Sequence, residues 1–437
     1  AGRGRGCSLH VALQRAAAPM TERKRQDAEG PEEQAADAGA QSRGGKASRT
    51  GGGPPGPPGP EQGAAPLPGD DDAAWEEVSH FLSVCYSIAG YAVSALHAVD
   101  TYGRDLLAAL RDPNNQSLWC GDDPATTLRE MKARVAYNQQ FLDELVRDLA
   151  CCPVGPPGGM GRRTPPPGIL RVPRGYMLDP GNLSKTRSTL RQFVRDWARE
   201  GAAERESCYE PLLRALEQYM PLGSCKGRRP KVLTPGSGLG RLTFEAARRG
   251  YFAEGNEFSY HMLLGTAWVL NDSGAALGTT IFPFVVDTVG RRGAYDHLRP
   301  VMIPDVCPGD FCHPESGFGD ISMRSGEFVE VYKNQAKEWD AVLTAFFLDT
   351  AHNVFIYIRV LANLLRPGGI WANLGPLLWH YSPTGGGPYD AVSIELSWEE
   401  VRVAVEAYFI IQEIHRQDAT YTDGALGGRK KVYHCLH

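Results

Sequence analysis

A glycine turn constrains this chain most: Val232-Leu-Thr-Pro-Gly236-Ser-Gly238-Leu-Gly240-Arg-Leu carries a short apolar strand directly into a helix. Glycine lets the backbone approach a ligand where any Cβ would intrude, and the following helix offers its N-terminus. A dinucleotide fingerprint demands a further small residue where Arg241 stands. The turn therefore suits a nucleoside that brings no pyrophosphate, and S-adenosylmethionine fits better than a nicotinamide cofactor. Glu257 ends the next apolar run, about 20 residues on, where a carboxylate can accept both hydroxyls of a ribose.

The surrounding pattern has the period of an α/β domain. Short apolar runs at 232–233, 251–253, 301–303, 341–347, 370–374 and 408–414 alternate with helical segments, which predicts a mostly parallel sheet covered on both faces. Upstream, Ser184–Arg199 and Glu204–Tyr219 read as helices. Asp72 is placed to cap a helix from Ala73, with Trp75, Val78, Phe81, Leu82, Cys85 and Ile88 at helical spacing. A second stretch runs from Thr126 to Leu149 and suggests an antiparallel helical hairpin. Residues 1–69 are rich in Gly, Ala, Pro and charge and are expected to be a disordered tail. The division expected is thus a tail (1–69), a helical extension (70–152), a Pro/Gly linker (153–178) and a catalytic domain (179–437).

Composition narrows the partners. A formal net charge of -5 supplies no basic field for nucleic acid, and no apolar run approaches the ~18 residues of a membrane span. None of the ten cysteines forms a C-x-x-C pair, and Cys307, Cys312 and His313 lack a fourth ligand, so no metal is expected. Position 1 is Ala and the first methionine is Met20, which offers a start.

Four blocks are more specific: Pro235-Gly-Ser-Gly-Leu-Gly-Arg-Leu242, Gly255-Asn-Glu-Phe-Ser259, Phe347-Leu-Asp-Thr-Ala-His-Asn353 and Arg366-Pro-Gly-Gly-Ile-Trp-Ala-Asn-Leu-Gly-Pro-Leu-Leu-Trp-His380. Together they resemble the carnosine N-methyltransferase family over about Trp75 to Cys435. The resemblance implies a seven-strand, Rossmann-like methyltransferase sheet with an N-terminal helical extension. It implies S-adenosyl-L-methionine as cofactor, held by Gln192, Arg195, Gly236, Glu257, Glu327, Phe328 and Ala345. Carnosine would be held by Asp349, His380 and Tyr433 and converted to anserine, in the cytosol and nucleus, with a homodimer allowed for. Glu327 stands where the family has Asp, and Ala345 where it has Cys. The chain ends at His437, where the family's last strand runs on, so a shortened terminal strand is expected.

The chemistry asked of these residues is modest. A free imidazole is largely neutral at pH 7 and needs orientation and the correct tautomer rather than a strong base. Asp349, at a strand exit, is the candidate catalytic group: accepting the far ring N–H would aim the near nitrogen at the methyl donor and stabilise the imidazolium as it forms. His380 is expected to close a strand and to meet the peptide, and Tyr433 to offer a hydroxyl. Gln192 and Arg195, three apart on one helix face, would serve the methionine end of the cofactor. His352 reads as the start of a helix. Phe346, Phe347 and Trp379 read as core, although an aromatic ring near a sulfonium can attract it. Two alternatives stay open: a methyltransferase for histidine in proteins or longer peptides, and a cofactor-binding isoform without activity.

Overall fold

The computed structural model describes residues 70–147, 170–381, 393–421 and 432–436. The expected tail (1–69) and most of the Pro/Gly linker lie outside these residues. The first described element is helix α1 (Asp70–Ala89), which therefore begins before the expected cap at Asp72. After Gly90 the chain continues as α2 (Tyr91–Ala109), α3 (Pro113–Leu118) and α4 (Pro124–Leu145). Asp112 and Asp123 cap α3 and α4, each followed by a proline that needs no N–H partner in the first turn.

Helix α2, which the sequence reading passed over, packs against α4. Its buried face is built from Tyr91, Ala95, Val99 and Gly103. Buried Asn138 on α4 ties this layer to the rest of the protein. Its Nδ2 donates to Tyr91 Oη (3.0 Å) and to the Phe282 carbonyl (2.9 Å), and its Oδ1 accepts the Phe282 N–H (2.7 Å). Met131, Val135, Phe141 and Leu142 share one core with Phe193, Leu264 and Trp268, and the rings of Phe141, Phe193 and Trp268 meet edge-to-face. Among the described residues no single helix is long and apolar enough to cross a membrane. Only α1 and α2 together pass that test, and they are bent by 49°.

Asp179 caps α5 (Pro180–Trp197), so this helix starts four residues before the expected Ser184. The stretch read as one helix from Glu204 is two, α6 (Ala202–Cys208) and α7 (Glu210–Tyr219). Strand β1 (Lys231–Pro235) then leads through the glycine turn into α8 (Arg241–Arg248), and β2 (Phe252–Glu257) into α9 (Tyr260–Ala267). A hairpin of β3 (Thr279–Ile281) and β4 (Val301–Ile303) stands apart from the main sheet. The chain returns as β5 (Ile321–Ser325), α10 (Phe328–Tyr332), β6 (Trp339–Ala345), α11 (Val354–Leu364) and β7 (Leu365–Leu374). Helix α12 (Trp398–Glu406) and the antiparallel pair β8 (Arg416–Thr420) and β9 (Val432–Leu436) complete the described chain.

The main sheet is wholly parallel, in the order β5-β2-β1-β6-β7. Among the described residues it has five strands rather than seven, since β3, β4, β8 and β9 form separate pairs. The run 301–303 is a strand, but one outside this sheet. The run 408–414 is none: Ile410 and Ile414 face solvent, and pairing starts only at Arg416, where β9 lies alongside. Strand β5 escaped the sequence reading because Ile321-Ser-Met-Arg-Ser325 is half polar, as suits a sheet edge. Central β6 is buried from Trp339 to Thr344, the signature of a strand covered on both faces. From β1 the chain moves one way to β2 and β5, then crosses to β6 and β7. The switch point thus falls between β1 and β6, where open α/β sheets bind ligands beyond the strands' carboxyl ends.

Candidate active site

The glycine turn after β1 and the block that begins at Phe347 meet at this switch point. After β1 the turn adopts left-handed backbone at all three glycines, with φ of 64° at Gly236, 55° at Gly238 and 77° at Gly240. A Cβ at Gly236 would come within 2.7 Å of Phe347 Cδ2, so Gly236 is held against the segment that leaves β6. Glu257, buried at the tip of β2, fastens the turn: one carboxylate oxygen accepts Gly238 N–H (2.9 Å) and the other accepts Phe258 and Ser259 N–H (3.0 and 2.9 Å). A carboxylate has about four acceptor positions, so a ribose would have to share Glu257 with the turn it positions. Burial pushes the Glu257 carboxyl up, while these three N–H groups pull it back.

Beyond β6 the chain turns sharply. Phe346 has a φ of 54° and Trp379 one of 50°, both in the left-handed region that bulky residues avoid. Such conformations cluster where the surrounding structure enforces a functional geometry. The turn sends two consecutive rings into different clusters. Phe347 reaches Gly236, Phe328 (5.3 Å) and Tyr357 (5.0 Å), whereas Phe346 meets Tyr421 (4.9 Å) and lies under the Arg195 guanidinium (5.6 Å).

Asp349 follows in a short 3-10 turn, almost fully buried. Its Oδ2 accepts Leu378 N–H (3.1 Å), and its carbonyl accepts His380 N–H (3.0 Å). Burial raises the Asp349 carboxyl above its ordinary range, against the Leu378 N–H and the His380 side chain. The structure thus joins Asp349 to His380, but His380 closes no strand. Strand β7 ends at Leu374, and Pro376, with no N–H, ends the ladder, leaving His380 in an exposed turn. Likewise α11 starts at Val354 under an Asn353 cap, while His352 stacks on Tyr381 with ring centroids 3.7 Å apart.

The remaining expected residues fall into two groups. Gln192 and Arg195 share a face of α5: Gln192 Nε2 donates to Tyr421 Oη (2.7 Å) and Arg195 Nη1 to Tyr209 Oη (2.6 Å). Ala345 ends β6, next in the chain to Phe346. Phe328 is buried at the start of α10, but exposed Glu327 uses its carboxylate to cap that helix at Glu330 N–H (2.8 Å). Tyr433 lies in β9, paired with Ala419 of β8 and outside the main sheet. Sequence reasoning missed Asp196, Tyr209 and Tyr421. The Arg195 guanidinium sits 4.8 Å from the Tyr209 ring and 4.6 Å from that of Tyr421. Burial raises the Tyr421 hydroxyl, and Asp196 and Glu257 add to the effect.

These residues fit an adenosyl amino acid. The turn presents bare backbone, Glu257 retains acceptor capacity, and polar atoms of Arg195 and Asp196 are buried without a partner among the described residues. Residues 176–437, more than half of the chain, match the family model described as carnosine N-methyltransferase. The chain belongs to the carnosine N-methyltransferase family. The carnosine N-methyltransferase of Mus musculus is 38% identical over 257 residues, covering 58% of this chain and 62% of that protein. Carnosine N-methyltransferase unmet of Drosophila melanogaster is 40% identical over 237 residues, 54% of this chain and 50% of that protein. The enzyme so named from Schizosaccharomyces pombe is 33% identical over 260 residues, 58% and 69% respectively. The chain therefore spans less than two thirds of the length of the mouse and fly proteins it matches. Helices α1, α2 and α4 precede the part matched by the carnosine N-methyltransferase model, yet share a core with it.

Proposed function

We propose that this chain methylates the imidazole of carnosine, using S-adenosylmethionine and yielding anserine. The observation that carries the reading is the pairing of Asp349 with the glycine turn at the switch point, bridged by the Phe347–Gly236 approach. Membership in the family supports it independently.

When bound, S-adenosylmethionine supplies a methyl carbon activated by a sulfonium. Arg195, Gln192, Glu257 and the turn at Gly236–Gly240 would hold it; Phe328 and the backbone beside Glu327 and Ala345 are the remaining contacts proposed. Asp349 performs the protein's share of the chemistry. A buried, ionised carboxylate accepts the far N–H of the imidazole and leaves the near nitrogen's lone pair free. It then offsets the positive charge that appears on the ring, at a site where water screens little. Leu378 N–H restrains one carboxylate oxygen, so the other is the one offered to substrate. The exposed His380 side chain and Tyr433 would meet the peptide's polar ends. Work in the cytosol and nucleus belongs to the same proposal and is supported by the resemblance alone; locating the tagged full-length chain in cells tests it.

The deciding experiment is purified protein with labelled methyl donor and carnosine, the methylated nitrogen being located by NMR. Label on the ring nitrogen nearer the side-chain stem is expected. Label only in histidine-containing proteins or longer peptides would replace carnosine as substrate, and cofactor binding without turnover would end the enzymatic reading.

A further inference from the structure

Arg195 and Asp196 close the last turn of α5, each at most 6% exposed, and their side chains are half used. Arg195 Nη1 lies 3.3 Å from Asp196 Oδ1, and Tyr209 Oη bridges the two, receiving the Arg195 hydrogen bond and donating to Asp196 Oδ1 (2.8 Å). On another side, Arg195 Nε faces Glu204 Oε1 at 3.1 Å. What remains is a donor, Arg195 Nη2, and an acceptor, Asp196 Oδ2. Both are buried and without a hydrogen-bond partner among the described residues. Buried charged groups are seldom left so, because the lost hydration has no replacement.

The location of the acceptor says what it awaits. A Cβ at Gly238 would stand 3.8 Å from Asp196 Oδ2, so this oxygen looks onto the glycine turn itself. Arg241 Nη1 holds the Asp196 carbonyl (2.8 Å), which fixes the end of α5 against the helix that the turn opens. Tyr421 and Phe346 cover the Arg195 guanidinium with their rings. A cation and an anion joined at one end and unpaired at the other match a ligand group carrying both opposite charges. A carboxylate alone would satisfy Arg195 and leave Asp196 bare.

We infer that Arg195 and Asp196 form a receptor for the zwitterionic amino-acid end of the methyl donor, with Arg195 Nη2 donating to its carboxylate and Asp196 Oδ2 accepting from its ammonium. The inference rests on the cofactor assignment proposed above and adds Asp196, a residue to which the resemblance gives no role. It also makes Asp196 the group that distinguishes the intact cofactor from nucleosides sharing its adenosine and sulfur.

Calorimetry on the full chain tests it without turnover. The ligands are S-adenosylhomocysteine, its analogue lacking only the amino group, and 5′-methylthioadenosine. Wild type should bind S-adenosylhomocysteine about tenfold or more tightly than either truncated ligand, the effect of a lost charge-assisted hydrogen bond. Asp196→Asn should weaken S-adenosylhomocysteine by about tenfold while leaving 5′-methylthioadenosine within about twofold. Equal affinity of wild type for all three ligands overturns the receptor while keeping the nucleoside site. A parallel loss for both ligands in Asp196→Asn does the same, since a merely structural role predicts it. Should the variant fail to fold, the three-ligand comparison on wild type decides alone. Failure of wild type to bind any of the three defeats the cofactor assignment, and the receptor with it.

Discussion

His380 donates its backbone N–H to the carbonyl of Asp349 at 3.0 Å, so the sequence blocks 347–353 and 366–380 are stitched together beside the switch point of the sheet. The Asp349 side chain is held from the same segment through Leu378 N–H at 3.1 Å. Replacing the carboxylate should therefore remove chemistry without dismantling the turn. Asp349→Asn is expected to lower kcat/KM for carnosine by about 10²- to 10⁴-fold. Cofactor affinity, read by calorimetry, should stay close to wild type; a matching loss there would show that Asp349 serves the cofactor instead.

Glu257 holds three N–H groups of the turn and of the following residues, and the same carboxylate is proposed to meet the ribose. Glu257→Ala should raise the dissociation constant for S-adenosylhomocysteine at least about tenfold and cost about 2 kcal/mol of stability, since Gly238, Phe258 and Ser259 all lose their acceptor. Titration calorimetry and urea unfolding read the two effects separately. A change confined to peptide affinity would remove the ribose from this residue.

Stability should depend on pH through two buried histidines. Burial pushes His261 down to about 4, aided by Lys185, and burial does the same to His297, aided by Arg291 and Arg134. Unfolded imidazoles titrate near ~6.5. Below that pH the unfolded chain takes up protons that the folded one refuses, so stability is complete above about pH 6.5 and declines as pH falls towards about 4. Urea midpoints across this window should show the decline, and His261→Gln should flatten it. An unchanged slope in that variant would mean His261 is not the group responsible.

Asn138 joins α4 to the segment after β3 with two hydrogen bonds to Phe282 and to α2 with a third to Tyr91 Oη, all buried. Asn138→Ala strands both the N–H and the carbonyl of Phe282 and should cost about 3 kcal/mol in urea unfolding. A cost below about 1 kcal/mol would show that water replaces the side chain there.

How much of this was legible depended on where the signal resides. Glycines at 236, 238 and 240 and the acid at 257 announce strand, turn and strand tip because each residue type is demanded locally, and the structure has them there. Buried β6 was readable from its mostly apolar run, interrupted only by Thr344 between Ala341 and Phe347, whereas β5 was not, because an edge strand tolerates Ser322 and Arg324. Helix α2 hides its contact face behind Ala95 and Gly103, small residues that pattern weakly. Asp349 and His380 were each visible in motifs, but the hydrogen bond between them is tertiary. Tyr421 and Tyr209 carried no local signal: they matter only because α5 brings Arg195 between them.

The shared core of α4 and α5 bears on how this protein can be cut. Phe141 packs edge-on against Phe193 and Trp268, so trimming the chain to residues 176–437 would strip an aromatic cover from two large rings. A fragment with its boundaries drawn by sequence likeness alone would carry a sticky greasy face into solution. It would self-associate for a reason unrelated to its chemistry.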